Sequence, residues 1–203
     1  MKTFVIATHN RHKTREIAKL LRGVPAAFTD LTRFPKVASV CEDGRTLLEN
    51  AVKKARAYSR RTGLPALADD TGLEVDALSG APGLRSARYA GPGCAYSDNN
   101  RKLLRELGRR GAAGAARGAT FRCVVALADP ATGRVETCEG ALRGKILESS
   151  RGRNGFGYDP LFYIPRLKKT LAELSLKEKN RVSHRAKAVL KIKKLLEARC
   201  AGS

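Results

Sequence analysis

The stretch Ala68-Asp69-Asp70-Thr71-Gly72-Leu73-Glu74-Val75-Asp76-Ala77-Leu78 constrains this chain more than any other. An apolar approach ends on two adjacent carboxylates. After Thr71-Gly72 the run alternates, Leu73, Val75 and Ala77 against Glu74 and Asp76. That pattern predicts strand, acidic turn, strand. The chain carries 40 Lys and Arg against 19 Asp and Glu, so paired carboxylates at a strand end stand out. Their mutual repulsion is unfavourable unless a cation or a proton offsets it. Two readings are open at this point. A divalent metal lies between the carboxylates, or an Asx-type turn uses the first Asp as a backbone cap and leaves the second solvated.

With 203 residues, 42% hydrophobic, the chain is long enough for one sizeable core, and one globular unit of possible two-lobed form over residues 1–203 is expected. No apolar run approaches the ~20 residues that span a bilayer, and the N-terminus opens directly into a strand pattern, so a cytoplasmic protein without a membrane partner is expected. Cys41, Cys94, Cys123, Cys138 and Cys200 form no C-x-x-C pair and read as reduced packing residues. The net charge of +21 fits a nucleic-acid binder, a protein of small polyanions, or a solvated basic surface. Arg60-Arg61, Arg109-Arg110, Lys168-Lys169 and Lys193-Lys194 are dispersed, aromatics are only 5%, and the acidic stretch would repel a phosphate backbone. No specific nucleic-acid partner is therefore expected.

Thr3 to Thr8 is a near-continuous apolar run, as in a strand covered on both faces. The polar loop Thr8-His9-Asn10-Arg11-His12-Lys13 leads into a helix with Glu16, Ile17, Leu20 and Leu21 at helical spacing. A strand-to-helix junction gathers N–H donors and the positive end of the helix dipole, so Asn10 and Lys13 make either a phosphate cradle or a capped helix start with a solvated lysine. Residues 24–40 are irregular with one short strand. Thr46-x-x-Glu49 fits a capping box for a helix to about Arg61. Glu42 and Asp43 precede that helix, where carboxylates are favoured in any case. Alternatively Glu42 joins Asp69 and Asp70 in an oxygen-ligand site for Mg²⁺. Residues 79–93 form a Gly/Pro-rich loop; Ser97 caps a helix through Leu107; residues 121–128 and 135–147 form a hairpin. Residues 151–160 are too glycine-rich for regular structure, and Phe156 either stacks on a base or anchors a mobile loop. Ser175-x-x-Glu178 is a second capping box. Ser183 as N-cap would put His184 and Arg185 in the first turn of the last helix, whose inner face is Val189, Ile192, Leu195 and Leu196.

Six of these stretches together resemble the inosine triphosphate pyrophosphatase family. They are Thr8-x-Asn10-x-x-Lys13, Glu49-Asn50-Ala51-x-x-Lys54-Ala55, Ala68-Asp69-Asp70-Thr71-Gly72-Leu73, Pro82-Gly83-x-x-Ser86-Ala87-Arg88-Tyr89, Gly155-Phe156-Gly157-Tyr158-Asp159-Pro160 and Ser183-His184-Arg185, in the family's order over nearly the full length. Departures are small: His9 replaces a common Gly, Thr71 a frequent Ser, and Cys41 precedes Glu42. The resemblance implies an α/β fold, a long mixed β-sheet with flanking helices in two lobes around a nucleotide-binding cleft. It also implies a homodimer, and Mg²⁺-dependent hydrolysis of ITP, dITP or XTP to monophosphate and pyrophosphate. The loop Thr8, His9, Asn10, Arg11, His12, Lys13 would hold the triphosphate. Thr71 would touch substrate, and Phe156, Gly157, Tyr158, Asp159, Lys179, His184 and Arg185 would enclose and read the base. Asp70 is the expected general base, Glu42 and Asp70 the metal contacts, and Asp69 a weaker metal candidate.

Overall fold

A computed structural model of the chain describes residues 2–201. Among them eight strands form one mixed sheet in the order β2-β1-β3-β5-β6-β7-β8, with β4 paired to β3 off that path. The strands are β1 (Thr3–Ile6), β2 (Ala27–Asp30), β3 (Ala66–Val75), β4 (Pro82–Gly83), β5 (Gly118–Ala128), β6 (Val135–Ile146), β7 (Phe162–Ile164) and β8 (Lys169–Thr170). The helices are α1 (Arg11–Leu20), α2 (Leu47–Thr62), α3 (Tyr96–Arg109), α4 (Leu176–Val182) and α5 (His184–Ala201). β1 runs parallel to both β2 and β3, whereas β4 on β3, β7 on β6 and β8 on β7 are antiparallel. This is the α/β class with a mixed sheet that the sequence led us to expect. No described helix is long and apolar enough to cross a membrane.

The chain divides into two compact units. The first takes the chain up to Asp70, Cys123–Gly140 and the chain from His184 on. Its sheet is covered on both faces, because alternate residues of each strand are apolar on either side. Phe4, Ile6, Leu67, Cys123, Val125 and Leu127 pack against α1 and α5 through Ile17, Leu20, Leu21, Val189, Ile192 and Leu196. Val5, Ala7, Ala66, Ala68, Val124 and Ala126 face α2 through Ala51, Ala55 and Tyr58. The second unit, Thr71–Arg122 and Ala141–Ser183, has its own core of Leu73, Val75, Leu103, Leu107, Phe121, Leu142, Ile146, Leu161 and Phe162.

Several local expectations need correction. Residues 66–75 are one continuous strand, so no acidic turn separates two strands. α3 is not capped by Ser97; Asp98 Oδ2 accepts from the Ala95 N–H at 2.9 Å, one residue before the helix. Leu195 is exposed while its neighbours in the stripe are buried. Cys41 is exposed rather than packed, and Cys123 is the buried one; the side chain of Cys200 lies outside the described residues. The hairpin, the Thr46 and Ser175 caps and the irregular 151–160 stretch are as the sequence predicts.

Candidate active site

Successive strand residues point to opposite faces of a sheet, and this resolves the paired carboxylates. Asp69 (2% exposed) and Asp70 (6% exposed) do not face each other, and each has a lysine of its own. On the α1/α5 face, Asp69 Oδ2 accepts from Lys13 Nζ at 3.0 Å and from Arg185 Nε at 3.2 Å, with Cys123 Sγ at 3.8 Å. On the α2 face, Asp70 Oδ1 accepts from Lys54 Nζ at 3.1 Å and Oδ2 from Asn50 Nδ2 at 3.1 Å. The same Lys54 ammonium donates to Glu42 Oε1 at 2.6 Å. Asn50 and Lys54 are one helical turn apart on α2 and therefore share a face. The cations paired with each carboxylate offset the repulsion expected from the sequence.

The two carboxyls are tuned in opposite directions. Burial pushes Asp69 up, but Lys13, Arg185 and Lys54 outweigh it and hold the group well below the usual carboxylate range. Burial also pushes Asp70 up, Glu42 adds to the rise, and Lys54 and Lys13 offset only part of it, so Asp70 is left raised. Burial opposes the Lys54 charge, yet Asp70, Asp69 and Glu42 together raise its pKa. Lys54 is thus a permanent cation bridging the two carboxylates expected to hold a metal. Converging hard oxygens compensated by positive charge suit Mg²⁺, which is commonly bound by one or two carboxylates with substrate phosphates completing the shell. Among the described residues no group of three or more His, Cys, Asp or Glu is disposed to hold a metal, so the fit is of that shared kind.

The Thr8–Lys13 loop leads from β1 into α1. Asn10 is the N-cap: its Oδ1 accepts from the N–H groups of His12 at 3.0 Å and Lys13 at 3.3 Å. Thr8 Oγ1 accepts from the Asn10 N–H at 3.2 Å. The asparagine side chain is therefore used in shaping the helix start, and Lys13 is drawn to Asp69 rather than solvated. His9 stacks edge-on to Tyr58, with ring centroids 5.9 Å apart, while Arg11 and His12 are exposed.

In the second unit, Asp159 organises the glycine-rich loop. Its Oδ2 accepts from the Phe156 N–H at 2.8 Å and from Lys179 Nζ at 2.5 Å. Gly155 has φ +76°, and a Cβ there would collide with the Asp159 carboxylate, so this turn requires glycine. Phe156 is half-buried, with Lys179 Nζ 4.9 Å from its ring centroid and Tyr96 5.8 Å away. Asn100 Nδ2 donates to the Gly157 carbonyl at 3.1 Å. Tyr158 is buried and donates its hydroxyl to the Ser86 carbonyl at 2.9 Å, and burial raises its pKa. Thr71, the first residue of this unit, is half-buried in β3.

Ser183 has extended backbone (φ −67°, ψ 155°) just before α5, which places His184 and Arg185 in the first turn as expected. The Arg185 guanidinium, however, is buried in the first unit, where NH1 donates to Glu16 Oε2 at 2.5 Å and Nε to Asp69. Residues of these clusters given no role by sequence reasoning include Asn50, Lys54, Glu16, Tyr96, Asn100 and Ser86. Spacing offered a signal for one pair, Asn50 and Lys54 at i,i+4 on one face of α2.

Comparison with known proteins settles which family this arrangement belongs to. The model of the Ham1 family matches residues 4–195. The chain belongs to the Ham1 family. It is 49% identical over 192 residues to a dITP/XTP pyrophosphatase of Desulforamulus reducens, covering 95% of this chain and 94% of that one. It is 50% identical over 193 residues to a dITP/XTP pyrophosphatase of Geobacter sulfurreducens, covering 95% and 96%. A solved HAM1 protein from Coxiella burnetii superposes with a TM-score of 0.88 at 41% identity, over 98% of this chain and all of that one. Family membership agrees with the resemblance read from the motifs.

Proposed function

We propose that this Ham1-family chain, acting over its whole length as one pyrophosphatase, hydrolyses ITP, dITP and XTP to the monophosphate and pyrophosphate, with Mg²⁺, and removes deaminated purines from the nucleotide pool. The observation that carries the reading is Asp70: a buried carboxylate with a raised pKa, fixed by Asn50 and Lys54 and facing Glu42, in a chain half identical to dITP/XTP pyrophosphatases.

Asp70 takes a proton from the attacking water as its oxygen bonds to the α-phosphorus; the bond from that phosphorus to the β-bridging oxygen breaks, and pyrophosphate leaves. A positioned base of this kind is worth ~10²–10⁴ in rate, most when its pKa lies towards the working pH. Asn50 and Lys54 orient the carboxylate, and Lys54 adds positive charge where phosphate charge accumulates. Glu42 and Asp70 would hold the Mg²⁺, which when bound supplies charge neutralisation and acidifies water. Lys13 and the Thr8–Lys13 loop hold the triphosphate. Phe156 stacks on the base, with Asp159 and Lys179 fixing its loop, and the N–H donors at the head of α5, at His184 and Arg185, recognise the 6-oxo group. An adenine amino group there would leave donors facing a donor, and sites built on such bonds reject the wrong partner by roughly 10⁴–10⁵. A homodimer in the cytoplasm belongs to the same reading, and light scattering of the purified chain tests its dimeric part.

The deciding assay is pyrophosphate release with Mg²⁺, offering ITP, XTP, dITP, ATP, GTP and dTTP separately and repeating each with EDTA. Metal-dependent release from the inosine and xanthosine nucleotides alone is expected. Release from dTTP, or equal rates on ATP and ITP, overturns the base assignment.

A further inference from the structure

Asp69 is buried, ionised and used by none of the steps above, although it adjoins the expected base. Three donors converge on one of its oxygens: Lys13 Nζ, Arg185 Nε and Cys123 Sγ. Arg185 is held at its other side by Glu16. Lys13 and Glu16 are on α1, Asp69 on β3 and Arg185 at the head of α5, so an alternating series of two cations and two carboxylates, Lys13–Asp69–Arg185–Glu16, joins three elements of the first unit. Its formal charge sums to zero, which is the condition for burying ionised groups tolerably. The series enlists the lysine that ends the Thr8–Lys13 loop and the arginine that begins α5.

We propose that Asp69 is a positioning residue rather than a metal ligand: its Oδ2 holds the phosphate-binding lysine and the base-reading arginine at once, so that one carboxylate sets the register between triphosphate and base recognition. The inference rests on the function proposed above for Lys13 and Arg185. Binding of a phosphate chain to Lys13 then alters the field at Arg185 Nε through Asp69, and Glu16 restrains Arg185 from its other side.

Calorimetry with tripolyphosphate in EDTA, on the full chain, tests this without metal or nucleotide. Asp69→Asn is expected to weaken tripolyphosphate binding at least tenfold, and Glu16→Gln to leave it within twofold. Both variants should lower the ITP-over-ATP ratio of kcat/KM about tenfold, and neither should change the Mg²⁺ concentration giving half-maximal rate. Wild-type tripolyphosphate affinity in Asp69→Asn, or a raised Mg²⁺ requirement as its sole defect, overturns the proposal. Should Asp69→Asn not fold, the wild-type Arg185 Nε–H resonance decides: tripolyphosphate must shift it, and an unmoved signal refutes the coupling. Failure of the wild type to hydrolyse ITP would remove the proposed function, while the binding and resonance measurements would still report on Asp69.

Discussion

At the scale of single residues, the opposite tuning of Asp69 and Asp70 separates their effects on activity from their effects on stability. Asp70 holds its proton to a higher pH in the folded chain than its ordinary value of 3.8. Its contribution to stability therefore declines as pH rises through the window above 3.8. Asp70→Asn removes that window. We expect the variant to lose turnover, to bind ITP as the wild type does, and to show a denaturant midpoint that no longer falls with pH across that range; near-normal turnover would remove Asp70 from the role of base. Asp69 has the reverse sign: its depressed pKa stabilises the fold above 3.8, and that contribution is lost as pH falls below it. Breaking a buried pair from one side costs about 3–5 kcal/mol, so Asp69→Asn, which takes a carboxylate from both Lys13 and Arg185, should lower the thermal midpoint more than Asp70→Asn, which leaves Lys54 paired with Glu42. The sequence made the two carboxylates conspicuous and left two causes open, a divalent metal and an Asx-type turn. The turn is ruled out, because residues 66–75 are continuous strand. In a strand the two side chains diverge, and only the structure shows two lysines, Lys13 and Lys54, serving opposite faces.

At the scale of elements, the starts of α2 and α4 and the end of α2 were legible from their capping residues, whereas the Asp98 cap of α3 was not. Thr46 accepts from the Glu49 N–H at 3.0 Å, Ser175 from the Glu178 N–H at 3.2 Å, and Gly63 ends α2 in the left-handed conformation. What spacing did not disclose was partnership across long sequence separation, such as Glu16 with Arg185, because nothing local fixes which helices meet. Gly140 on β6 is another such case. A Cβ there would lie within close-contact range of the His184 carbonyl and the Ala188 N–H on α5, so the glycine lets the head of α5 approach the strand. Overpacking of this type costs about 1–3 kcal/mol. Gly140→Ala is expected to lower the melting temperature and, by displacing His184 and Arg185, to reduce ITP-over-ATP selectivity. A variant that melts earlier yet keeps its selectivity would show that the approach serves stability alone.

At the scale of the whole molecule, the excess charge of +21 is spread over surfaces in both units, with pairs such as Arg122–Glu74 and Lys53–Asp43 largely exposed. Exposed pairs of this kind contribute little to stability. A positive field does, however, concentrate polyanions, an effect of ~10-fold or more that salt screens. KM for ITP should therefore rise several-fold between low and high NaCl with kcat little changed, measured at fixed free Mg²⁺. A KM indifferent to salt would reduce the charge to surface solvation.

The path of the chain carries a consequence for how such an enzyme can change. Three segments make one unit and two make the other, with the backbone passing between them at Asp70–Thr71, Arg122–Cys123, Gly140–Ala141 and Ser183–His184. The carboxylates and Lys13 belong to the first, the Phe156–Lys179 loop cluster to the second. No single cut in the gene isolates either one. Recombination between relatives, which readily exchanges contiguous modules, cannot replace either unit whole in a single exchange; it can carry only one segment of a unit at a time, and each segment has to fit the resident segments that complete its core.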